Sequence, residues 1–185
     1  MNFKEETISE TSIYKGNVTE YTVQEVRLQN GKTSQREIVR HAGASAVIPF
    51  VGEDQMLLVR QYRKAIESES IEIPAGLRDA GESASETALR ELEEETGYTT
   101  DQLSFVTSFY STPGFTDEFL EIFEASNLYL VKDKRPMDED EQVEVLTVSY
   151  DEAWNFYEKG LLRDSKTVFA LFYWKMKKLM QKDQG

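Results

Sequence analysis

Three glutamates, Glu91, Glu94 and Glu95, fall within the short stretch RELEEETGY. Like charges one turn apart weaken a helix, so such a cluster calls for a compensating cation. Ser83-Ala84-Ser85-Glu86 reads as a capping box that opens a helix, and Gly97 is placed to stop it. At about 100° per residue, Glu95 lies about 40° from Glu91, while Ala88 and Leu92 lie about 60° and 100° from it. Glu91 and Glu95 therefore stand at the shoulder of the face that Ala88, Leu89 and Leu92 bury. Glu86 and Glu93 point the other way, at about 220° and 200°. A half-buried carboxylate pair either raises its pKa or takes up a cation. Oxygen donors of this kind suit a hard divalent ion, with Mg2+ or Mn2+ the natural candidates. An ordinary acidic surface helix is the competing reading of the glutamates taken alone.

Strands must position this helix. VTEYTVQEVRL (18–28) partly alternates, Asn30-Gly31 is a two-residue hairpin signal, and SQREIVRHA supplies the return strand. ASAVIPFV (44–51), QMLLVRQY (55–62) and IEIPAG (71–76) follow, then LSFVTSFYS (103–111) and EFLEIFEASNLYLV (118–131) around the turn Thr112-Pro113-Gly114. RPMDEDEQ (135–142) is an acidic loop before a last strand, VEVLTVS. Ser149 and Glu152 form a second capping box for a helix that stops near Gly160, and Ser165 opens a final helix over about 165–181. Its apolar residues are Val168, Phe169, Leu171, Phe172, Met176 and Leu179, and Trp154 and Trp174 read as core. Strands around one central helix, with two closing helices, make the class α+β or a mixed α/β sandwich. The first 42 residues form a small sheet that is marginal alone and must pack on something.

Composition narrows the partners. The chain has 185 residues, enough for one domain with a small appendage, and no cysteine, so disulfides and thiolate metal sites are excluded. A net charge of -13 argues against a nucleic-acid backbone as partner. The N-terminal residues do not read as a signal peptide, and no apolar run is long enough to span a membrane, so a cytoplasmic location is expected. His41 is the only histidine, so any triad with a histidine base would rest on it alone, and it reads as structural rather than catalytic.

The spacing sharpens the chemistry. Gly76, Glu82, Arg90-Glu91-Leu92, Glu94-Glu95 and Gly97-Tyr98 resemble the Nudix hydrolase signature, G-x5-E-x7-R-E-U-x-E-E-x-G-U, where U is a bulky apolar residue. Every fixed position matches, and Tyr98 at the final U is the one mild departure. VRQYRKAIESESIEIPAG before the box, and Pro113 in STPGFTDE beyond it, resemble the ADP-ribose pyrophosphatase branch of that family.

The resemblance implies an αβα sandwich with a mixed sheet over 43–185, and an N-terminal antiparallel sheet over 1–42 that joins a homodimer. It implies hydrolysis of a small-molecule nucleoside diphosphate, ADP-ribose first, with Mg2+ as cofactor and Mn2+ as a possible substitute. Glu91, Glu95 and Glu94 match the metal ligands, the Ala75 carbonyl adds another, and Glu82 binds through water. Arg90 orients these glutamates, although helix geometry alone equally pairs it with Glu86. The general base falls in the acidic loop, at Glu141 by position or at Glu139, although the loop also reads as a solvated charge run. Arg63 is a candidate phosphate clamp, since a guanidinium fork fits phosphate oxygens. Glu72 contacts substrate or supports the metal site. Glu37 and Arg40 reach toward the adenosine across the dimer, with Pro113 on the substrate side. The rival readings are a hydrolase of another nucleoside diphosphate derivative, a non-catalytic nucleotide sensor on the same fold, and an acidic interaction protein. The complete box counts against the sensor.

Overall fold

A computed structural model describes residues 3–136 and 142–182. The chain divides into two compact units, residues 1–44 with 108–120, and residues 45–107 with 121–185.

The first unit carries an antiparallel three-stranded sheet of β1 (Glu6–Lys15), β2 (Thr19–Arg27) and β3 (Thr33–His41), in that order. The expected hairpin forms between β2 and β3, with a longer connection than two residues. Leu28 N–H donates to Lys32 O at 2.8 Å and Gly31 N–H to Leu28 O at 2.9 Å, which leaves three residues in the loop. Gly31 takes the positive φ of +81° that closes such a turn. β1 was not legible in the sequence. Every residue of ETISETSIYK is exposed, so no buried face marks it as a strand. Pairing with β2, Glu10 opposite Gln24, makes it one. On β2 alternate residues Thr22, Gln24 and Val26 are buried, the period of two that a one-sided sheet requires. The 108–120 segment joins β3 within this unit. Val39 N–H donates to Phe115 O at 2.8 Å, and Asp117 Oδ1 accepts from His41 N–H at 2.9 Å.

The second unit contains β4 (Ala44–Val51), β5 (Gln55–Arg63), β6 (Ser68–Glu72), β7 (Ala75–Leu77), α1 (Ala84–Thr96) and β8 (Tyr98–Thr99). It continues with β9 (Gln102–Tyr110), β10 (Phe119–Ser126), β11 (Tyr129–Leu130), β12 (Val143–Ser149), α2 (Tyr150–Glu158) and α3 (Ser165–Lys182), β9 and β10 each lending one end to the first unit. The sheet runs β12-β5-β4-β10-β9, with β6 beside β5 and β7 beside β4. Two segments read as single strands are split. Pro74 separates β6 from β7, because proline cannot donate to a ladder. Asn127, at φ +52°, separates β10 from β11.

Alternation along the strands builds the layers. Val47 on β4, with Phe123 and Ala125 on β10, packs on Ala88 and Leu92 of α1. The neighbouring register faces α3: Phe50 meets the Trp174 ring at 5.5 Å, and Glu124 accepts from Tyr173 Oη at 2.7 Å. Helices therefore cover both faces of a mixed sheet, giving the expected α/β sandwich. Ala46, Val47 and Ile48 are fully buried, as an apolar run in a strand covered on both faces should be. Leu92 is also fully buried, and its truncation to alanine is expected to cost about 2–5 kcal/mol. Trp174 joins the core, but Trp154 is only half-buried and stacks on Tyr150. Phe172, Met176 and Leu179 lie 40–54% exposed on α3. Among the described residues no helix is long and apolar enough to cross a membrane.

Candidate active site

α1 begins and ends where the sequence says. Ser83 Oγ accepts from Glu86 N–H while the Glu86 carboxylate accepts from Ser83 N–H, and Gly97 stops the helix at φ +76°. Such a cap contributes about 1 kcal/mol. The capping role takes up Glu86, so Arg90 does not pair with it. Arg90 turns instead to Glu82, Glu91 and Glu94. Its Nε donates to Glu82 Oε1 at 3.0 Å, and its Nη1 to Glu91 Oε1 at 2.6 Å and Glu94 Oε2 at 2.9 Å. Nη2 donates to the Leu77 carbonyl at 2.9 Å, tying the helix to the end of β7.

One cation thus holds three carboxylates. Burial opposes the charge of Arg90, but Glu82, Glu91 and Glu94 outweigh it and raise its pKa, so it stays protonated throughout the working range. The Arg90 hydrogen bond in turn lowers the Glu82 pKa, helped by Thr87 Oγ1 at 2.8 Å.

Glu91 and Glu95 are buried deeper than a helix shoulder, at 7% and 3% exposure. The start of β7 closes over them. Ala75 N–H donates to Glu95 Oε2 at 3.2 Å. At Gly76 a Cβ would stand 2.0 Å from Glu91 Oε1, so only glycine lets backbone and carboxylate approach this closely. Glu93, read as solvated, is 16% exposed at its side chain because the 132–136 segment covers it. Its Oε1 accepts from Arg135 N–H at 3.0 Å. A cleft of about 430 Å³ beside Glu82, Glu86, Arg90, Glu93 and Arg135 flanks this arrangement on the outer side of α1.

The side chains as placed converge on Arg90, and among the described residues no three carboxylates or histidines stand at metal-holding spacing. The donor chemistry nonetheless fits a hard divalent cation. Two buried carboxylates one turn apart and a third beside them supply oxygen donors only, and the missing Cβ of Gly76 makes room for the Glu91 carboxylate among them.

Arg63 and Glu72 meet in the same unit. Arg63 Nε and Nη2 donate to Glu72 Oε1 and Oε2, both at 2.8 Å, in a bidentate pair. Lys166 Nζ also donates to Glu72 Oε2 at 2.6 Å. Burial opposes the Glu72 charge, but the Arg63 hydrogen bonds and Lys166 hold its carboxyl down to about 2. Lys166 escaped the sequence reading, since nothing local distinguishes a lysine in the first turn of α3.

The remaining residues lie in the first unit. Glu37 sits on β3 opposite Val23, and after burial its charge is the next cause that raises the Tyr21 pKa. Arg40 Nη1 donates to Asp117 Oδ2 at 3.0 Å, a partner the sequence reading missed. Pro113 is exposed in the turn where Phe115 N–H donates to Thr112 O at 3.2 Å. His41 Nδ1 accepts from Gly43 N–H at 3.1 Å. Glu139 and Glu141 lie outside the described residues.

A strand–loop–helix that brings glutamates under a backbone loop, within a sheet covered by helices on both faces, is the architecture of a Nudix hydrolase. The NUDIX domain family matches residues 39–171, and the chain belongs to that family. Similar proteins include the ADP-ribose pyrophosphatase of Bacillus subtilis (strain 168), 44% identical over 180 residues and 97% of each chain. The methanol dehydrogenase activator of Bacillus methanolicus is 42% identical over 179 residues, again 97% of each. Among solved structures, an ADP compounds hydrolase superposes with a TM-score of 0.82 at 24% identity, covering 98% of this chain and 96% of that one. At that identity it speaks to the fold alone.

Proposed function

We propose that this protein hydrolyses the diphosphate bond of ADP-ribose to AMP and ribose 5-phosphate, using a divalent metal ion. The observation that carries the reading is the complete glutamate box, folded with Glu91 and Glu95 buried beneath the Ala75-Gly76 backbone. The 44% relationship to an ADP-ribose pyrophosphatase supports the substrate.

A diphosphate is inert in water because its charge repels a nucleophile. Bound divalent metal, Mg2+ or Mn2+, supplies charge neutralisation and lowers the pKa of water. Glu91, Glu95, Glu94 and the Ala75 carbonyl would hold it, with Glu82 in support through water. Arg90 keeps the glutamates in register. Glu141, or Glu139 in second place, takes the proton from the attacking water. That oxygen joins one phosphorus, the bridging P–O bond breaks, and the other phosphate leaves with the bridging oxygen. Arg63 clamps a phosphate oxygen, with Glu72 beside it. Glu37 and Arg40 of one copy reach toward the adenosine held by the other, and Pro113 contributes on the substrate side.

The working form is a cytoplasmic homodimer, with the 1–42 segment as the dimerisation element and 43–185 as the hydrolase domain. β1 supports this, since Ile8, Ile13 and Tyr14 stand 42–65% exposed on a sheet of three strands. Light scattering is expected to give twice the 21.3 kDa of one chain, and a monomer mass removes the dimer.

The deciding experiment is a panel of nucleoside diphosphate derivatives with Mg2+ and with Mn2+, products identified by chromatography. Release of ribose 5-phosphate and AMP from ADP-ribose in preference to other sugars supports the reading. Turnover of a different derivative moves the substrate. Binding without product favours a sensor. Activation of an alcohol dehydrogenase is a second reading, drawn from the 42% relative, and addition of the protein to methanol dehydrogenase tests it.

A further inference from the structure

α3 begins beside the strand that carries Glu72, and its first turn brings a buried charge network. Glu72 is 4% exposed at its side chain, Lys166 11% and Asp164 20%, while Arg63 is 43% exposed. Lys166 Nζ lies 2.6 Å from Glu72 and 3.1 Å from Asp164. Asp164 is also engaged by α3 itself: its Oδ2 accepts from Thr167 N–H at 3.0 Å and from Thr167 Oγ1 at 2.6 Å. Thr167 Oγ1 then accepts from Ile73 N–H at 2.8 Å, which fixes the strand end leading into the Pro74-Ala75-Gly76 loop.

The charge count around Arg63 has a consequence. A bidentate Arg63–Glu72 pair is neutral by itself and would offer a phosphate no net attraction. Lys166 supplies the second positive charge against the same carboxylate. Asp164, 3.1 Å from Lys166, offsets part of it while also capping the positive end of the α3 dipole. Arg63 Nη1 makes no hydrogen bond to the described residues, and the guanidinium is the exposed end of the network. The charges of Glu95 and Asp164 also act on Arg63.

We propose that Lys166 is a positioning residue: by matching the charge of buried Glu72, it leaves the Arg63 fork locked in place yet cationic toward a substrate phosphate. The inference rests on the reading of Arg63 as the phosphate clamp. Lys166 touches no substrate and acts through Glu72.

Steady-state kinetics with ADP-ribose test it in three variants. Lys166→Met removes that positive charge, and KM is expected to rise about tenfold, equivalent to ~1.4 kcal/mol, with kcat within about twofold. Lys166→Arg keeps the charge and is expected to stay near wild type. The salt dependence of KM separates charge from structure: the rise in Lys166→Met is expected to shrink several-fold between about 0.05 and about 0.5 M NaCl, and a rise that salt leaves unchanged overturns the proposal. If Lys166→Met does not fold, Lys166→Gln takes its place in the same comparison. An unchanged KM in folded Lys166→Met, or an equal loss in Lys166→Arg, also overturns it. Arg63→Ala separates the two levels. If it leaves KM unchanged the clamp reading fails, and if it raises KM while Lys166→Met does not, this inference alone fails. Should wild type not turn over ADP-ribose, calorimetric Kd values for ADP in the same variants read the same charge effect.

Discussion

Replacing Gly76 with alanine separates catalysis from folding. The added Cβ would stand 2.0 Å from Glu91 Oε1, 2.1 Å from Cδ and 2.5 Å from Oε2. Ordinary contact begins near 3.4 Å, so the carboxylate must retreat by about 1.4 Å. It is the end of a flexible side chain, and the cost in stability is that of local overpacking, about 1–3 kcal/mol. For a chain of this size each kcal/mol lowers Tm by about 2–4 °C. Activity responds on a different scale. Glu91 is buried and holds Arg90 at 2.6 Å, so its retreat also disturbs Glu94 and Glu82 through the shared guanidinium. A displacement of about 1 Å at a reacting centre costs about a hundredfold. Initial rates of AMP release from ADP-ribose, at saturating Mg2+, are expected to fall by that factor, while circular dichroism still reports a folded protein at 25 °C. A kcat within threefold of wild type would show that the Gly76–Glu91 approach does not set the site.

Three other outcomes are expected. Arg90→Met leaves Glu82, Glu91 and Glu94 without their cation and costs about 3–5 kcal/mol; Mg2+ should then raise Tm more in the variant than in wild type, and equal shifts would refute the ligand assignment. Glu141→Gln should lower kcat more than tenfold with little change in KM, and a wild-type rate removes it as the base. Glu72 links stability to acid. Its carboxyl, held to about 2 against an ordinary 4.5, contributes up to about 3 kcal/mol that is present above pH 4.5 and lost as pH falls toward 2. In urea titrations the stability gap between wild type and Glu72→Gln should therefore shrink from pH 5 to pH 2.5, and a constant gap contradicts the linkage.

Local signals carried well from sequence to structure. Both capping boxes, at Ser83 and Ser149, form with their reciprocal bonds, because each needs only residues three apart. The stop at Gly97 follows the same logic. Angular reckoning placed Glu91 and Glu95 together, although it understated their burial, since the covering backbone belongs to β7 and not to the helix. It assigned Glu93 to solvent because the segment that covers it lies some 40 residues on.

The sequence by itself determined the helix, its ends, the spacing of its glutamates and, through that spacing, the family. These depend on periodicity and on neighbours within a turn, which any chain with those residues must express. Tertiary structure alone decided the partners. Arg90 chose Glu82 over Glu86 because Glu86 was taken by the cap. β1 became a strand only by pairing with β2. Glu72 found Lys166 at a separation of 94 residues, where burial made an unpaired carboxylate too costly and the packing of α3 supplied the charge.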